Sequence, residues 1–327
     1  MMPTNRLLEL FEQSPGQYVS GEMISQELGV SRTAVWKQIK KLESLGYVFD
    51  ASRRLGYKLI SSPDTLSVPQ LISQLKSKVF GHSIDWHEAV DSTQNRAQRL
   101  AEEGAPEGTL VIAEQQLNGR GRMGRGWVSP QGKGIWMSMI LRPSVPIHFA
   151  PQLTLLTAVA LCRSLRRLTA LPIGIKWPND LLVEGKKISG ILLESTAEEE
   201  RLRYVIAGIG ISVNLEQSDY PEEILNKVTS LRIANGGEGF DRTTVITDFL
   251  QEWEQLYFLY LENGFTPIIT LWEALSVSLN HPARLITPQG TIDGVPIGLD
   301  ASGALKVRKE DGSTVIVFSA EMGEPVR

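Results

Sequence analysis

Residues 118–130, NGRGRMGRGWVSP, set three arginines (Arg120, Arg122 and Arg125) among four glycines and then reach Trp127. A guanidinium is a planar, two-pronged donor to carboxylate and phosphate oxygens, and glycine lets backbone N–H groups approach such oxygens closely. The chemistry these residue types favour is the holding of an anion. Read literally, Gly119, Gly121 and Gly124 spell G-x-G-x-x-G, a fingerprint that needs a strand before it and a helix after it to seat a pyrophosphate. GTLVIAEQQ supplies the strand, but WVSPQGKGIWMSMIL reads as a turn and a second strand, so the dinucleotide reading fails. A Walker A loop fails for want of G-K-[ST]. An arginine–glycine nucleic-acid tail belongs in low-complexity sequence, and this loop lies between two patterned strands.

The surroundings sharpen the anion reading. From 115 to 179 there is no Asp or Glu, yet the span carries Arg120, Arg122, Arg125, Lys133, Arg142, Arg163, Arg166, Arg167 and Lys176. Such a stretch inside an acidic chain suggests a polyanion site. Three uncompensated arginines repel one another, which predicts a loop that is mobile when empty and ordered by an anionic ligand. Downstream, IKWPNDLLVEGKKISGILLE (175–194) groups Lys176, Asn179 and Asp180 around a Trp-Pro turn. Asp180 could anchor Mg²⁺ or orient a phosphate-binding lysine. Lys187 opens the strand KISGILLE, and Gly190 permits close approach by a ligand or backbone. In DSTQNRAQRLAEEG, Ser92 and Thr93 precede a helix whose N-terminus can hold a polar group; an ordinary N-cap is the alternative for Ser92.

These residues need elements to position them, and the chain has the length for roughly two to three domains. Its 33 basic and 37 acidic residues give a net charge of −4, so any polyanion binding must be local. The single cysteine, Cys162, excludes an intrachain disulfide and sits on the apolar side of a patterned helix, LTAVALCRSLRRL, as a buried structural thiol. His82, His87, His148 and His281 lack ligand spacing. The opening residues are broken by charges and lead into a helix, unlike a signal peptide. The apolar run near 153–162 is too short to span a bilayer. A cytoplasmic protein with no membrane association is expected.

Residues 1–63 read as a winged helix-turn-helix. TNRLLELFEQS is a first helix; Ser20 caps a second; Gly29 makes the turn; Ser31 caps a third, RTAVWKQIKKLESLG. Ser31, Arg32, Thr33, Lys37 and Lys40 on that third helix, with Arg53 and Arg54 on the wing, are the candidate DNA contacts, while Trp36, Ile39 and Leu42 are expected in the core. SSPDTLSVPQL reads as a linker. Residues 64–276 alternate strand and helix as a central α/β domain, with TTVITDFLQEWEQLYFLYLENG a long amphipathic helix whose Trp253, Tyr257 and Phe258 face the core. Residues 277–327 alternate with period two between Gly turns, as a small SH3-like β-barrel would. The class is an α+β multidomain protein.

Taken in order, DSTQNRA, QQLNGRGRMGRGW, KWPNDLL, KISGILLE and GIGISVN resemble the biotin–protein ligases. The helix-turn-helix ahead of them makes the chain similar to the bifunctional bacterial type that also represses the biotin operon. The resemblance spans essentially the whole chain. It implies a central domain of the biotin/lipoate ligase type that forms biotinyl-5′-AMP from biotin and ATP, with Mg²⁺, and passes biotin to a lysine of the biotin carboxyl carrier protein of acetyl-CoA carboxylase. It implies Ser92, Thr93, Gln94, Gln116, Arg120, Gly121, Arg122 and Lys187 as biotin contacts. Gly119, Arg122, Arg125, Trp127, Lys176, Asn179 and Asn214 would face ATP or the adenylate. Lys187, Arg122 and Asp180 would carry the chemistry, with Asp180 also the candidate Mg²⁺ ligand. Operator DNA and a homodimer formed on ligand or DNA binding are the implied partners. Two positions depart from the family pattern: Gln94 and Ser212 stand where Asn is usual. The alternatives are a lipoate–protein ligase-like enzyme, which the arginine loop disfavours, and a biotin-sensing transcription factor without ligase activity. A pure sensor need not keep Arg120, Arg122, Asp180 and Lys187 together.

Overall fold

Leu7 and Phe11, one helical turn apart, put an apolar stripe on α1 (Pro3–Glu12), and both are buried. The computed structural model describes residues 3–12, 14, 16–44, 47–52, 54–61, 65–198 and 201–323. Within them, α1 meets Ile24 of α2 (Gly21–Leu28) and Val35, Ile39 and Leu42 of α3 (Arg32–Ser44) in one small core. Capping sets the helix ends. Ser20 Oγ accepts the Met23 N–H at 3.1 Å, Gly29 ends α2 in the left-handed region at φ 63°, and Ser31 Oγ accepts the Ala34 N–H at 3.2 Å. An antiparallel hairpin, β1 (Val48–Ser52) and β2 (Gly56–Ser61), follows. Gly56 is needed there: at φ 101° an added Cβ would stand 2.1 Å from the Val19 carbonyl oxygen.

Helix, turn, helix and hairpin make a winged helix-turn-helix. One expectation is corrected. Trp36, Ile39 and Leu42 fall three apart and fit a buried stripe, but α3 turns Val35 inward instead and leaves Trp36 49% exposed. Arg54 is exposed at the hairpin turn, and Arg53 lies outside the described residues.

The chain forms two compact units, Met1–Thr65 and Leu66–Arg327. The second half of the expected linker is helical: α4 (Val68–Gln74) starts there, with Ser67 Oγ accepting the Gln70 N–H and a proline in its first turn. Then come β3 (Ile84–Val90), α5 (Thr93–Glu102), β4 (Leu110–Gln116), β5 (Ile135–Leu141), α6 (Ala150–Thr169), β6 (Ile173–Lys176), β7 (Asp180–Val183), β8 (Lys186–Glu198) and β9 (Arg201–Ile211). After these follow α7 (Leu231–Ala234), α8 (Arg242–Asn263) and α9 (Thr266–Leu275). Five short strands end the unit: β10 (Ala283–Thr287), β11 (Gly290–Leu299), β12 (Leu305–Arg308), β13 (Thr314–Val317) and β14 (Glu321–Gly323).

Strands β3 to β9 form a seven-stranded sheet in the order β3-β4-β5-β9-β8-β7-β6, parallel only between β3 and β4. Helix α6 covers one face over the main core with α8 packed on α6, and α5 packs on the other face against β4, β5 and β9. The alternation of strand residues decides what each face carries. On the α5 face β9 presents Tyr204 and Ile206 beneath the helix, then Gly208 and Gly210 beyond its N-terminus. In register with these lie Ser138 and Leu192 beside Gly208, and Trp136, Gly190 and Asp180 in the row of Gly210. Bulk under the helix and bare backbone beyond it make the hollow of the site.

Two more details depart from expectation. Phe258 of α8 is 39% exposed, whereas Trp253 and Tyr257 are in the core. Five cations of the acid-free stretch serve structure instead of an anion site. Arg163 and Arg167 of α6 pair with Glu252 and Asp248 of α8, Lys133 pairs with Asp219, and Arg142 and Arg166 donate to backbone carbonyls. Cys162 is buried on α6, and that burial pushes its thiol up to about 11. The last five strands make an antiparallel sheet in the order β13-β12-β11-β10-β14, in which β11 pairs with both β10 and β12 across a register shift between Pro296 and Gly298. No helix among the described residues is long and apolar enough to cross a membrane.

Candidate active site

Above the glycine row is a cavity of about 330 Å³. Its inner end is polar and fully cross-bonded. Ser92 occupies the N-cap position of α5, but its side chain makes no capping bond. Gln116 Oε1, from β4, takes that role by accepting the Thr93 N–H at 2.9 Å and the Thr93 hydroxyl at 3.0 Å. Ser138 on β5 lies 2.9 Å from Thr93 Oγ1 and donates to Gln94 Oε1 at 3.0 Å. Gln94 Nε2 in turn donates to the Ile206 carbonyl at 3.1 Å, and its Oε1 leaves Gly208 no room for a Cβ, which would stand 2.5 Å away. The longer amide at position 94 is thus accommodated by a glycine facing it.

The arginine loop joins the antiparallel neighbours β4 and β5. It folds on itself through Gly121 N–H to Arg125 O (2.7 Å) and Trp127 N–H to Gly119 O (2.8 Å), with Met123 in the left-handed region at φ 57° at its exposed tip. Two of the three arginines have carboxylate partners, where the sequence suggested three uncompensated charges. Arg120 donates to Glu194 at 2.8 Å and also to Asn95 and Ser92. Arg122 donates to Asn179 Oδ1 and to Ser319 Oγ, each at 3.1 Å, and Arg125 pairs with Glu321. The acids lie outside the acid-free stretch, on β8 and on β14. Burial pushes the Arg122 guanidinium below its ordinary pKa, with the Asp180 carboxylate opposing that and Arg125 adding to it.

The outer end is built by the turn at Trp177–Pro178 and the β7–β8 hairpin. Lys187 Nζ stands 2.7 Å from Asp180 Oδ1 and 5.1 Å from the centre of the Trp127 ring. Its backbone is clamped to the 227–229 segment by Lys187 N–H to Lys227 O (2.8 Å) and Thr229 N–H to Lys187 O (2.9 Å). Trp127 fits only because its floor is bare: a Cβ on Gly210 would meet its Nε1 at 2.5 Å, and one on Gly190 would meet Lys187 Nζ at 3.0 Å. That indole Nε1 is buried with no hydrogen-bond partner among the described residues.

Of the residues singled out from sequence, Ser92, Thr93, Gln94, Gln116, Arg120, Gly121, Arg122, Arg125, Trp127, Lys176, Asn179, Asp180 and Lys187 all line this cavity. Gly119 and Asn214 do not. Gly119 lies at the neck of the loop, where a Cβ would meet the Trp127 carbonyl at 2.7 Å, and Asn214 uses its amide on the Phe240 backbone, donating and accepting at 2.9 Å. Asp180 pairs with Lys187, and its Oδ1 is buried with no hydrogen-bond partner among the described residues. Among the described residues no three His, Cys, Asp or Glu side chains gather to hold an ion. Sequence reasoning missed Ser138, Tyr220, Lys227 and Glu321, which also line the cavity. Period-two alternation from Ile140 would have placed Ser138 on the right face; nothing in the sequence distinguishes Lys227 or Glu321 from surface charges. Ser212 lines the cavity beside Tyr220, whose hydroxyl burial pushes up to about 12.

Comparison with known proteins agrees with this geometry. Residues 86–212 match the Biotin/lipoate A/B protein ligase family, and residues 4–58 match an HTH domain. The chain is 46% identical over 316 residues to the Bifunctional ligase/repressor BirA of Bacillus subtilis, covering 97% of each chain. It is 31% identical to the protein of the same name from Escherichia coli, covering 90% of this chain and 89% of that one. A biotin protein ligase of Aquifex aeolicus, solved with biotin and ATP, superposes with a TM-score of 0.64 at 31% identity, covering 74% of this chain and 98% of that chain. The chain belongs to the family of bifunctional biotin ligase/repressors.

Proposed function

We propose that this chain couples biotin to ATP as biotinyl-5′-AMP, transfers the biotinyl group to a lysine of a biotin carboxyl carrier protein, and represses transcription from an operator when the adenylate is bound. The observation that carries the ligase reading is the Lys187–Asp180 pair, 2.7 Å apart, beside the Trp127 ring at the cationic end of a cavity whose other end is a closed hydroxyl–amide network. In the first step biotin's carboxylate attacks the α-phosphorus of ATP and pyrophosphate leaves. Carboxylate and triphosphate repel each other, so fixed cations at the meeting point must offset the charge. Arg122, Arg125, Lys176, Lys187 and Lys227 line the cavity, together with Arg120, which reaches Ser92 and Asn95 at its inner end. Asp180 fixes the Lys187 ammonium, so the donor does not have to reorganise as charge develops. The buried network of Thr93, Gln116 and Ser138 suits the ureido ring of biotin, and Trp127 suits a stacked adenine. Mg²⁺ would accompany ATP and offset the charge of its phosphates, with Asp180 the cavity carboxylate that would hold it.

In the second step the acceptor lysine's neutral amine attacks the mixed anhydride carbonyl and AMP leaves. An adenylate exposed to water would hydrolyse, so the arginine loop, lying across the cavity between β4 and β5, also serves to exclude solvent. Ser31, Arg32, Thr33, Lys37, Lys40, Arg53 and Arg54 serve the operator, and the chain acts in the cytoplasm as a homodimer when ligand or DNA is bound. Pairing of half-sites is what a helix-turn-helix requires.

The test is direct. Purified protein with biotin, ATP, Mg²⁺ and a carrier domain adds one biotinyl mass to the carrier, and Lys187→Ala lowers the rate on the order of a hundred- to a thousand-fold. No mass gain with the unaltered chain overturns the ligase reading. A gel shift that strengthens when biotin and ATP are added together supports the repressor half, and DNA binding indifferent to both overturns the coupling.

A further inference from the structure

We infer that Trp36 reads thymine in the operator, through apolar contact with the base's 5-methyl group in the major groove. This deepens the repressor reading and rests on it. Trp36 is the fifth residue of α3, and the first turns of a recognition helix are those that reach base edges. Helical spacing puts it one turn after Arg32 and one turn before Lys40, about a quarter turn around the helix from the stripe of Val35, Ile39 and Leu42 that is buried. The helix carries four cations, Arg32, Lys37, Lys40 and Lys41, against the single acid Glu43, so the surface in which the indole sits is complementary to a polyanion.

An indole 49% exposed leaves much apolar area in water, a cost that a polar residue at this position would avoid. Among the described residues no aromatic ring packs against Trp36 and no cation lies over it. Arg32, the neighbour best placed for such a contact, is drawn toward α2 by its 2.7 Å pair with Glu22. The major groove offers one apolar group that distinguishes a base pair, the thymine methyl. Lysines on the same helix face would supply phosphate contacts that carry no sequence information, whereas Trp36 would supply discrimination.

The experiment uses the full chain with biotin, ATP and Mg²⁺. A duplex is enriched from a random pool, and each thymine in it is then replaced by uracil, which removes the methyl and keeps the pairing. Removing one methyl-sized apolar contact should weaken binding about four-fold at one or two thymines in each half-site. Trp36→Ala should bind more weakly and lose the uracil penalty at those thymines only, and Trp36→Phe should retain part of it. Retention by both variants of the thermal transition of the 1–65 unit reports that the DNA-binding unit is folded, and unchanged carrier biotinylation reports that the rest of the chain is intact. If no sequence is enriched, the repressor reading fails and the inference falls with it. If the chain enriches a sequence but is indifferent to uracil, or Trp36→Ala keeps the same penalty, the inference alone is overturned. A Trp36→Ala chain that loses self-association in sedimentation and weakens equally on every duplex also overturns it, because Trp36 would then face protein.

Discussion

At the scale of single residues, glycines decide the site as much as the charged groups do. The row Trp136–Gly210–Gly190–Asp180 has no side chain at its two central positions, and that vacancy seats Trp127 and aims Lys187. Gly210→Ala should therefore push the indole from its floor while leaving the Thr93–Gln116–Ser138 network untouched. We expect kcat/KM for ATP in pyrophosphate exchange to fall roughly tenfold or more. Biotin affinity measured by calorimetry without ATP should stay within about two-fold, and equal losses in both would show that the glycine serves the whole cavity. Most of these residues were legible because their motifs are contiguous: GRGRMGRGW, KWPND and GIGIS each bring several lining groups at once. Asn214 stands in the GIGISVN motif, and its amide bonds the Phe240 backbone. Lys227 and Glu321 were illegible because only the fold brings them to a cavity made by strands far away in sequence.

At the scale of elements, the sequence pattern tells which segments are helix or strand more securely than it tells which faces meet. Charge depletion between 115 and 179 looked like one anion site, but α6 contributes three of its arginines, and α8 answers two of them with Asp248 and Glu252. A pairing between helices some eighty residues apart leaves no local trace. Trp36 is a subtler case: residues 36, 39 and 42 and residues 35, 39 and 42 both fit a helical stripe, and tertiary packing chose the smaller valine. One element-level contact carries a clear stability consequence. Glu114 on β4 and Arg242 at the start of α8 form an ion pair with side chains 1% and 0% exposed, and Glu114 also accepts the Leu66 N–H at 2.6 Å. Glu114→Gln removes the carboxylate from this buried pair and should cost about 3–5 kcal/mol in denaturant unfolding. A loss within the spread of surface mutants would mean that water or relaxation compensates the pair.

At the scale of the molecule, the chain is two compact units of very unequal size, 1–65 and 66–327. A domain as small as the first buries a smaller fraction of its surface and is correspondingly marginal. Calorimetry should therefore show two transitions. Biotin and ATP together should raise that of the larger unit by the mass-action term, about 2.7 kcal/mol at ligand a hundred-fold above Kd. A single transition that moves as one would show the units to be cooperative. The β14 side of the cavity has a consequence in time. Arg122 and Arg125 complete their contacts only with Ser319 and Glu321, which lie 197 and 196 residues later in the chain. A ribosome-bound chain that has emerged only through α9 has the loop, the lysine and the glycine floor, but not the wall against which the loop rests. The adenylating centre therefore matures last in synthesis, after the DNA-reading unit at the other end has had the whole of elongation in which to fold.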